Sequence, residues 1–466
     1  MSVPFRTLPL VLAVSALLSA GTAAADDSLT FEAARARFHE RADIFRADTA
    51  EVNRARHASE SAKSLSGPKV DITAMQIEGR KDLDLNLDIP ASVQQLGSAL
   101  SQGAIRIPST MRFSDELDLS GPRAMISATW PLYTGGAITA QQNLLEHKVR
   151  EASAAQSARL EEKDADLAMR YWGVQLARSV EELRRERLKD EEEQVHRAMR
   201  FEKKGLISRI ERMSVEVSRD AARRELVSAG TSARVAEAEL MSALREKELP
   251  TLATPLFILT GDLGTLSEWQ SRARINSPVL ARIDAQVSQA GEGVRAAESA
   301  FHPQVFAFGM KNLVKHYLTP VEPDWMVGLG IKFTLWDNRD RFSSLAASHA
   351  QEDKARAAKA EADNALASAV ETAFLRTTQA REEYLLTAST VALAKENLRL
   401  REASFAEGLS TALDVREART QMTGAQIAER AAAYKFVVSW AMLHGAAGVM
   451  PDFVATLSRP DLKRVE

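Results

Sequence analysis

Apolar residues along this chain follow two rhythms, and each rhythm occurs twice. Phe31, Phe38 and Phe45 recur every seven residues, with Ile44 and Val52 near the same face. That spacing predicts a helix over 28–65, stopped by Gly67-Pro68. Alternation then takes over. Val70, Ile72 and Ala74 point one way, and Lys69, Asp71 and Thr73 the other, which predicts a strand. A second strand is predicted where Ala124, Ile126, Ala128, Trp130 and Leu132 oppose Arg123, Met125, Ser127 and Thr129. Thr134-Gly135-Gly136 breaks it. A long helix follows, with Leu160, Leu167 and Val174 at heptad spacing and Leu176 and Leu183 beyond. It runs to Lys203-Lys204-Gly205-Leu206, where the glycine suits a left-handed helix stop. A further helix reaches about Glu248.

The order then repeats. Asn276-Ser277-Pro278 opens a helix of small residues that reaches Phe301-His302-Pro303. Pro303 to Val314 and Trp325 to Trp336 read as the second pair of strands. In the latter, Val327, Leu329, Ile331, Phe333 and Leu335 oppose Met326, Gly328, Gly330, Lys332 and Thr334. The next helix carries Leu386, Leu393 and Leu400 in heptad register, and a last one runs from about Ala412 to Gly445. Two spans match: Leu132 to Gly205 and Leu335 to Gly408 are each 73 residues. Both glycines are followed six residues on by a carboxylate, Glu211 and Asp414. Matched lengths argue for two copies of one supersecondary unit. Pro68 to Leu132 spans 64 residues, whereas Pro303 to Leu335 spans 32, so the copies differ in the first hairpin loop.

The division expected from these signals is a signal peptide at 1–25, a first repeat at 26–248, a linker or equatorial segment at 249–275, a second repeat at 276–447 and a loosely structured tail at 448–466. Arg6, the apolar run Leu8–Leu18 and Ala23-Ala24-Ala25 carry the signal-peptide reading. The competing reading, a membrane anchor, needs about 20 apolar residues. Residues 79–121 are a polar insertion punctuated by Gly and Pro, whose Asp and Leu residues suit strand ends. Asp190–Glu193 reads as a solvated charged face. The net charge of −3 does not suggest a nucleic-acid partner, and the absence of cysteine excludes disulfides, thiol chemistry and an acylated N-terminal Cys.

Seventy-three residues of helix span on the order of 100 Å and need packing along their length, as in coiled coils. Four strands are too few to close a barrel, which takes about eight. Several chains must contribute, and three would give 12 strands. The fold class expected is therefore mainly α, with a membrane β-barrel portion built from four strands per chain.

On these features the chain resembles the TolC-type family of outer-membrane efflux proteins. The carriers are the signal peptide, the Pro131-Leu132-Tyr133-Thr134-Gly135-Gly136 junction, the duplicated layout, and Phe405-x-x-Gly408-Leu409-Ser410-Thr411-x-Leu413-Asp414-Val415. The resemblance covers nearly the whole mature chain. It implies a homotrimer with a 12-stranded outer-membrane barrel, a periplasmic α-helical barrel and an equatorial belt from residues such as 247–275 and the C-terminus. The implied partners are a periplasmic adaptor protein, an inner-membrane pump and outer-membrane lipid.

No catalytic constellation, cofactor motif or metal-ligand spacing stands out in the sequence. Asp414 and Glu417 are three apart, hence on one helix face. Threefold repetition would make them a ring of six acids, suited to cation preference and gating; ordinary surface acids are the alternative. By resemblance they match the family's acidic constriction at the periplasmic entrance, with Glu211 as the first-copy counterpart of Asp414. The family's closed-state lock also uses an Arg and a Tyr at positions occupied here by Ser410 and Phe405, which leaves Arg209 or Arg212 as substitutes. Gly205 and Gly408 turn the chain at the two hairpin tips. By resemblance Leu206 and Leu409 contact the adaptor. Trp130, Tyr133 and Trp336 cluster where strands meet helices, as packing anchors or as an interfacial aromatic girdle. The leading functional reading is a passive exit duct, for efflux of small molecules or for type I protein secretion. A pore-free periplasmic coiled-coil protein is the runner-up, and a secreted hydrolase is disfavoured.

Overall fold

The computed structural model describes residues 28–465 except 101, 103, 105, 119, 317, 319–321, 337, 339 and 408. The expected signal peptide, Asp337, Arg339 and Gly408 lie outside the described residues. In chain order the elements are β1 (Ser28–Leu29), α1 (Phe31–Arg41), α2 (Asp43–Lys63), β2 (Lys69–Ile77), β3 (Arg80–Asp88), α3 (Ala91–Leu100), β4 (Thr110–Asp118), β5 (Gly121–Tyr133), α4 (Ala137–Lys203), α5 (Arg209–Leu244), β6 (Thr251–Leu252), β7 (Leu256–Leu259), α6 (Leu266–Asn276), α7 (Pro278–Glu298), β8 (Gln304–Asn312), β9 (Trp325–Lys332), α8 (Arg341–Ala406), α9 (Ala412–Ala447), α10 (Met450–Thr456) and β10 (Leu462–Val465). The duplication is plain in the helices. α4 and α8 have 67 and 66 residues, and α5 and α9 have 36 each.

The chain divides into two units that cut across the repeats. One comprises the described residues up to Asp43 with Glu161–Glu268 and Val370–Glu466. Its core is aromatic. Trp172 is fully buried, with ring centroids 4.5 Å from Phe31 and 5.7 Å from both Phe257 and Phe453. Burying rings of this size is favourable only if their polar tips are bonded. The Trp172 indole N–H donates to the Pro255 carbonyl at 3.0 Å, and the Tyr171 hydroxyl donates to the Leu29 carbonyl at 2.6 Å. These bonds hold the short strands in place: β1 pairs parallel with β6, and β10 antiparallel with β7.

Three sequence expectations fail in this unit. The predicted first helix is not continuous. Thr30 caps α1 after β1, and the helix breaks at Ala42 before α2, although Phe31, Phe38 and Phe45 are all buried as the heptad requires. The expected linker at 249–275 contains β6, β7 and most of α6. Its prolines and glycines mark turns around Leu256-Phe257-Ile258-Leu259, a run that is wholly buried and too short to show a period. The expected loose tail is also ordered. Gly448, at φ +70°, ends α9 and turns the chain so that Met450 and Phe453 enter the core and β10 pairs with β7.

The other unit comprises Ile44–Leu160 and Trp269–Ala369. It holds an antiparallel sheet in the order β2-β5-β8-β9, with β2 and β9 at its edges. Register aligns the predicted alternation of β2, β5 and β9 across the sheet, whereas β8 places Phe306, Phe308 and Met310 on the polar face and Lys311 on the apolar one. Val70, Ala128, Gly309 and Val327 stand on one face, as do Ile72, Ile126, Trp130, Ala307 and Leu329. Lys69, Asp71, Thr73, Ser127, Thr129 and Lys332 stand on the other. On that second face Phe306 lies opposite Gly330, and Phe308 opposite Gly328; a Cβ at either glycine would overlap the ring. Aromatic rings thus cover the two backbone positions that lack side chains.

The predicted strand Trp325–Trp336 ends early, at Lys332. Lys332 pairs with Gln304, and the residue before Gln304 is Pro303, which has no N–H to extend the ladder. Phe333, Leu335 and Trp336 lie beyond it and are exposed. The insertion at 79–121 is a two-stranded ribbon, β3 with β4, carrying α3 at its turn.

Candidate functional site

Two features qualify as functional surface: the open face of the sheet and the ends of the long helices. On the sheet, Val327, Leu329 and Ile331 are 72%, 74% and 75% exposed. Val70, Ile72 and Trp130 on the same face are exposed as well. A contiguous apolar face of this kind marks contact with a partner or a membrane. The opposite face carries charge. Arg123 is buried there and ion-paired with Glu322 at 2.8 Å.

The three singled-out aromatics are differently placed. Trp130 belongs to the apolar face, and its indole N–H donates to the Ser66 carbonyl at 2.8 Å. Tyr133 closes β5 after a register shift and is exposed. Trp336 lies beyond β9 and is 88% exposed.

At the tips, the first hairpin turns through Gly205, at φ +71°, and Leu206 and Leu409 are both exposed. The acid six residues after each glycine has a local task. Ser208 caps α5, its hydroxyl accepting from the Glu211 N–H while Glu211 accepts from the Ser208 N–H at 2.7 Å. Thr411 and Asp414 do the same for α9, at 3.2 and 2.8 Å. The repeated carboxylate is therefore half of a repeated capping box. The Thr411 backbone N–H, with the Thr411 and Ser410 hydroxyls, holds the Asp414 carboxyl below the usual carboxylate range. The Ser208 N–H does the same for Glu211. Glu417 lies one turn beyond Asp414 and is exposed.

Basic side chains close to these acids in sequence tie the helices together through other partners. Arg212 bridges Glu202 of α4 at 2.7 Å and also reaches Glu216. Arg419 of α9 pairs with Glu402 of α8 at 2.5 Å and with Asp190 of α4 at 3.6 Å, and Arg416 donates to the Ser218 hydroxyl of α5 at 2.9 Å. Arg209 is exposed. The expected solvated face at Asp190–Glu193 has an exception. Glu191 is buried, and burial pushes its carboxyl up, against the pull of Arg187, Arg416 and Arg419. Sequence reading missed the Arg416 and Arg419 links. Their signal is a pair of cations one helical turn apart on α9, next to the expected acidic face.

The heptad seams differ between copies. Leu167, Val174 and Leu183 of α4 are buried within the chain, whereas Leu386, Leu393 and Leu400 of α8 are exposed. A leucine seam left open for its length is a surface built to pack on something else.

The sequence profile of a family described as outer membrane efflux protein matches residues 37–244 and 269–449. None of the curated proteins matches at a significant level. Among solved structures, the open state of the Neisseria gonorrhoeae MtrE outer membrane channel aligns with a TM-score of 0.70 at 17% identity, covering 90% of this chain and 89% of that one. The Vibrio cholerae outer membrane protein VceC aligns at 0.70 and 13%, covering 90% and 96%. The Campylobacter jejuni CmeC outer membrane channel aligns at 0.71 and 12%, covering 92% and 89%.

Proposed function

This chain belongs to the outer membrane efflux protein family, and on that premise we propose that it is one third of a homotrimeric exit duct in the outer membrane. The observation that carries the reading is the four-stranded sheet with an exposed apolar face and two edge strands. Open edges cannot lie in hydrocarbon, because unpaired backbone groups there cost several kcal/mol each (about that much by transfer measurements). Pairing β9 of one copy with β2 of the next removes every edge, and three copies supply 12 strands. The open seam of α8 fits the same assembly, in which the long helices continue the barrel as a periplasmic tube. In this reading Trp130, Tyr133 and Trp336 form the aromatic girdle at the inner rim of the outer membrane.

The duct performs no chemistry in this reading. It takes cargo from an inner-membrane pump through a periplasmic adaptor, for efflux of small molecules or type I secretion, and Gly205-Leu206 with Gly408-Leu409 are the adaptor's contacts. Asp414, Glu417 and Glu211 form the acidic constriction at the periplasmic end. Arg416 and Arg419 beside them, with Arg209 and Arg212, oppose the acids and hold the helices, replacing the family's Arg–Tyr lock. The test is single-channel conductance of detergent-extracted protein in planar bilayers. A cation-preferring pore, with block by divalent cations that weakens in Asp414→Ala/Glu417→Ala, is expected. A soluble monomer without conductance overturns the duct, and unchanged selectivity and block in the double mutant overturn the acidic ring.

A further inference from the structure

The 32 residues by which the first repeat exceeds the second build the β3–β4 ribbon, and its polarity is reversed relative to the sheet it extends. The pairing register runs on unbroken. Ile77 pairs with Gly121 and Arg80 with Asp118, so each pair keeps the same sum of residue numbers from Lys69–Thr129 to Asp88–Thr110. Only the step at Glu78–Gly79 is unpaired. There Gly121 sits at φ +142°, and the Gly79 N–H donates to the Ser120 hydroxyl at 3.3 Å. Along the first part of β2 the even positions Val70, Ile72 and Ala74 are apolar and the odd ones, Lys69, Asp71 and Thr73, are polar; the phase reverses at its end, where Met75 and Ile77 are apolar and Gln76 is polar. Along β3 the even positions become Asp82, Asp84, Asn86 and Asp88, and the apolar residues move to Leu85 and Leu87. Leu85 pairs with Phe113 and Leu87 with Met111, and all four are exposed. Val93 and Leu96 of α3 add exposed apolar surface at the ribbon's end.

A hairpin that alternates in one phase throughout would continue the lipid-facing side. Nine residues of β2 span about 30 Å along the strand and, at the roughly 40° tilt of barrel strands, about 23 Å in depth, which uses up nearly all of the roughly 25 Å apolar band of an outer-membrane barrel. The ribbon therefore stands outside the bilayer. Its acids occupy the side that continues the lipid face, which excludes lipid tails as the occupant of that side. Its apolar residues occupy the side that continues the lumen face, where only other copies of this chain are within reach. We propose that the three ribbons lean on one another through Leu85, Leu87, Met111 and Phe113 and form an extracellular lid over the duct, hinged at Gly79 and Gly121. This rests on the trimeric reading above and adds a second closure, separate from the acidic ring.

The test uses the full-length protein, which has no cysteine of its own. In Leu87→Cys, oxidation should give chain-to-chain disulfides, lower conductance severalfold and be reversed by reductant. In Leu87→Asp/Phe113→Asp, charge repulsion should hold the lid open and raise conductance without reducing trimer yield. Trimers that conduct but show neither cross-link nor conductance change overturn the lid and leave the duct intact. Loss of the trimer in the unaltered chain overturns the duct itself. Labelling of the cysteine by a lipid-soluble reagent alone, in place of chain-to-chain linkage, assigns the ribbon to a lipid partner and also overturns the lid.

Discussion

Replacing Leu329 with Arg puts one charge in the middle of the apolar face. β9 runs eight residues from Trp325 to Lys332, about 26 Å at 3.3 Å per residue. Leu329 stands about 13 Å along the strand from Trp325, about 10 Å in depth at the roughly 40° tilt of barrel strands, near the midplane of a roughly 25 Å apolar band. Its neighbours on the face are Val327, Ile331 and the cross-strand Ala307, none able to pair with a guanidinium. A charge at that depth costs about 2–4 kcal/mol per copy, which is roughly a 30- to 1,000-fold shift in the folding equilibrium. Thr129→Arg is the control. Thr129 pairs with Phe308 and stands one residue away in depth, on the opposite, polar face, where it is exposed. The assay is denaturant titration of folding into lipid vesicles, read by intrinsic fluorescence and by heat-resistant trimer on gels. Leu329→Arg should fall by the amount above and Thr129→Arg by less than about 1 kcal/mol. Equal losses, or a larger loss at Thr129, would refute the assignment of faces.

Trp172→Ala should cost about 3–5 kcal/mol and loosen β6, β7 and β10 together, because the ring is fully buried among Phe31, Phe257 and Phe453; thermal unfolding reads it. Ser208→Ala and Thr411→Ala should each cost about 1 kcal/mol locally and speed amide exchange in the first turns of α5 and α9 alone, whereas spread of the effect to the aromatic core would count against separate capping boxes. Burial raises the Glu161 carboxyl from its ordinary 4.5 to about 7, despite the Met450 N–H it accepts at 2.9 Å. The folded state then holds the extra proton, so stability should fall as pH rises from about 4.5 to about 7. Glu161→Gln should flatten that slope and gain at most about 2 kcal/mol at pH 8, after allowance for solvent screening; an unchanged slope would reject the assignment.

Periodicity made the long elements legible. The seven-residue spacing of Phe31, Phe38 and Phe45 found a face that is buried, and the alternation of Val70-Asp71-Ile72-Thr73 found both strand and side. The matched 73-residue spans correspond to paired helices of nearly equal length. Short elements were not legible. β7 has four residues and no polar member, so nothing in it alternates, and its stability comes from Phe436, Phe453 and β10, which are remote in sequence. The acids at the tips were legible as a repeat but not as caps, although Ser208-x-x-Glu211 is a helix-start signature in its own right. That the heptads of α4 close within the chain while those of α8 stay open is invisible to periodicity, which is the same in both.

The duct requires β2 of one copy to pair with β9 of the next. The chain's lack of cysteine makes this directly measurable. One cysteine is placed at Ile72 of β2, and a second is scanned over Val327, Leu329 and Ile331 of β9, all on the apolar face. Outer membranes are oxidised and the products run on a denaturing gel without reductant. At least one pair should trap covalent trimers, with dimers as partial products and single-cysteine variants remaining monomeric. Disulfides confined within one chain, or none at any position in protein that has reached the membrane, would rule out pairing of β2 with β9 between copies.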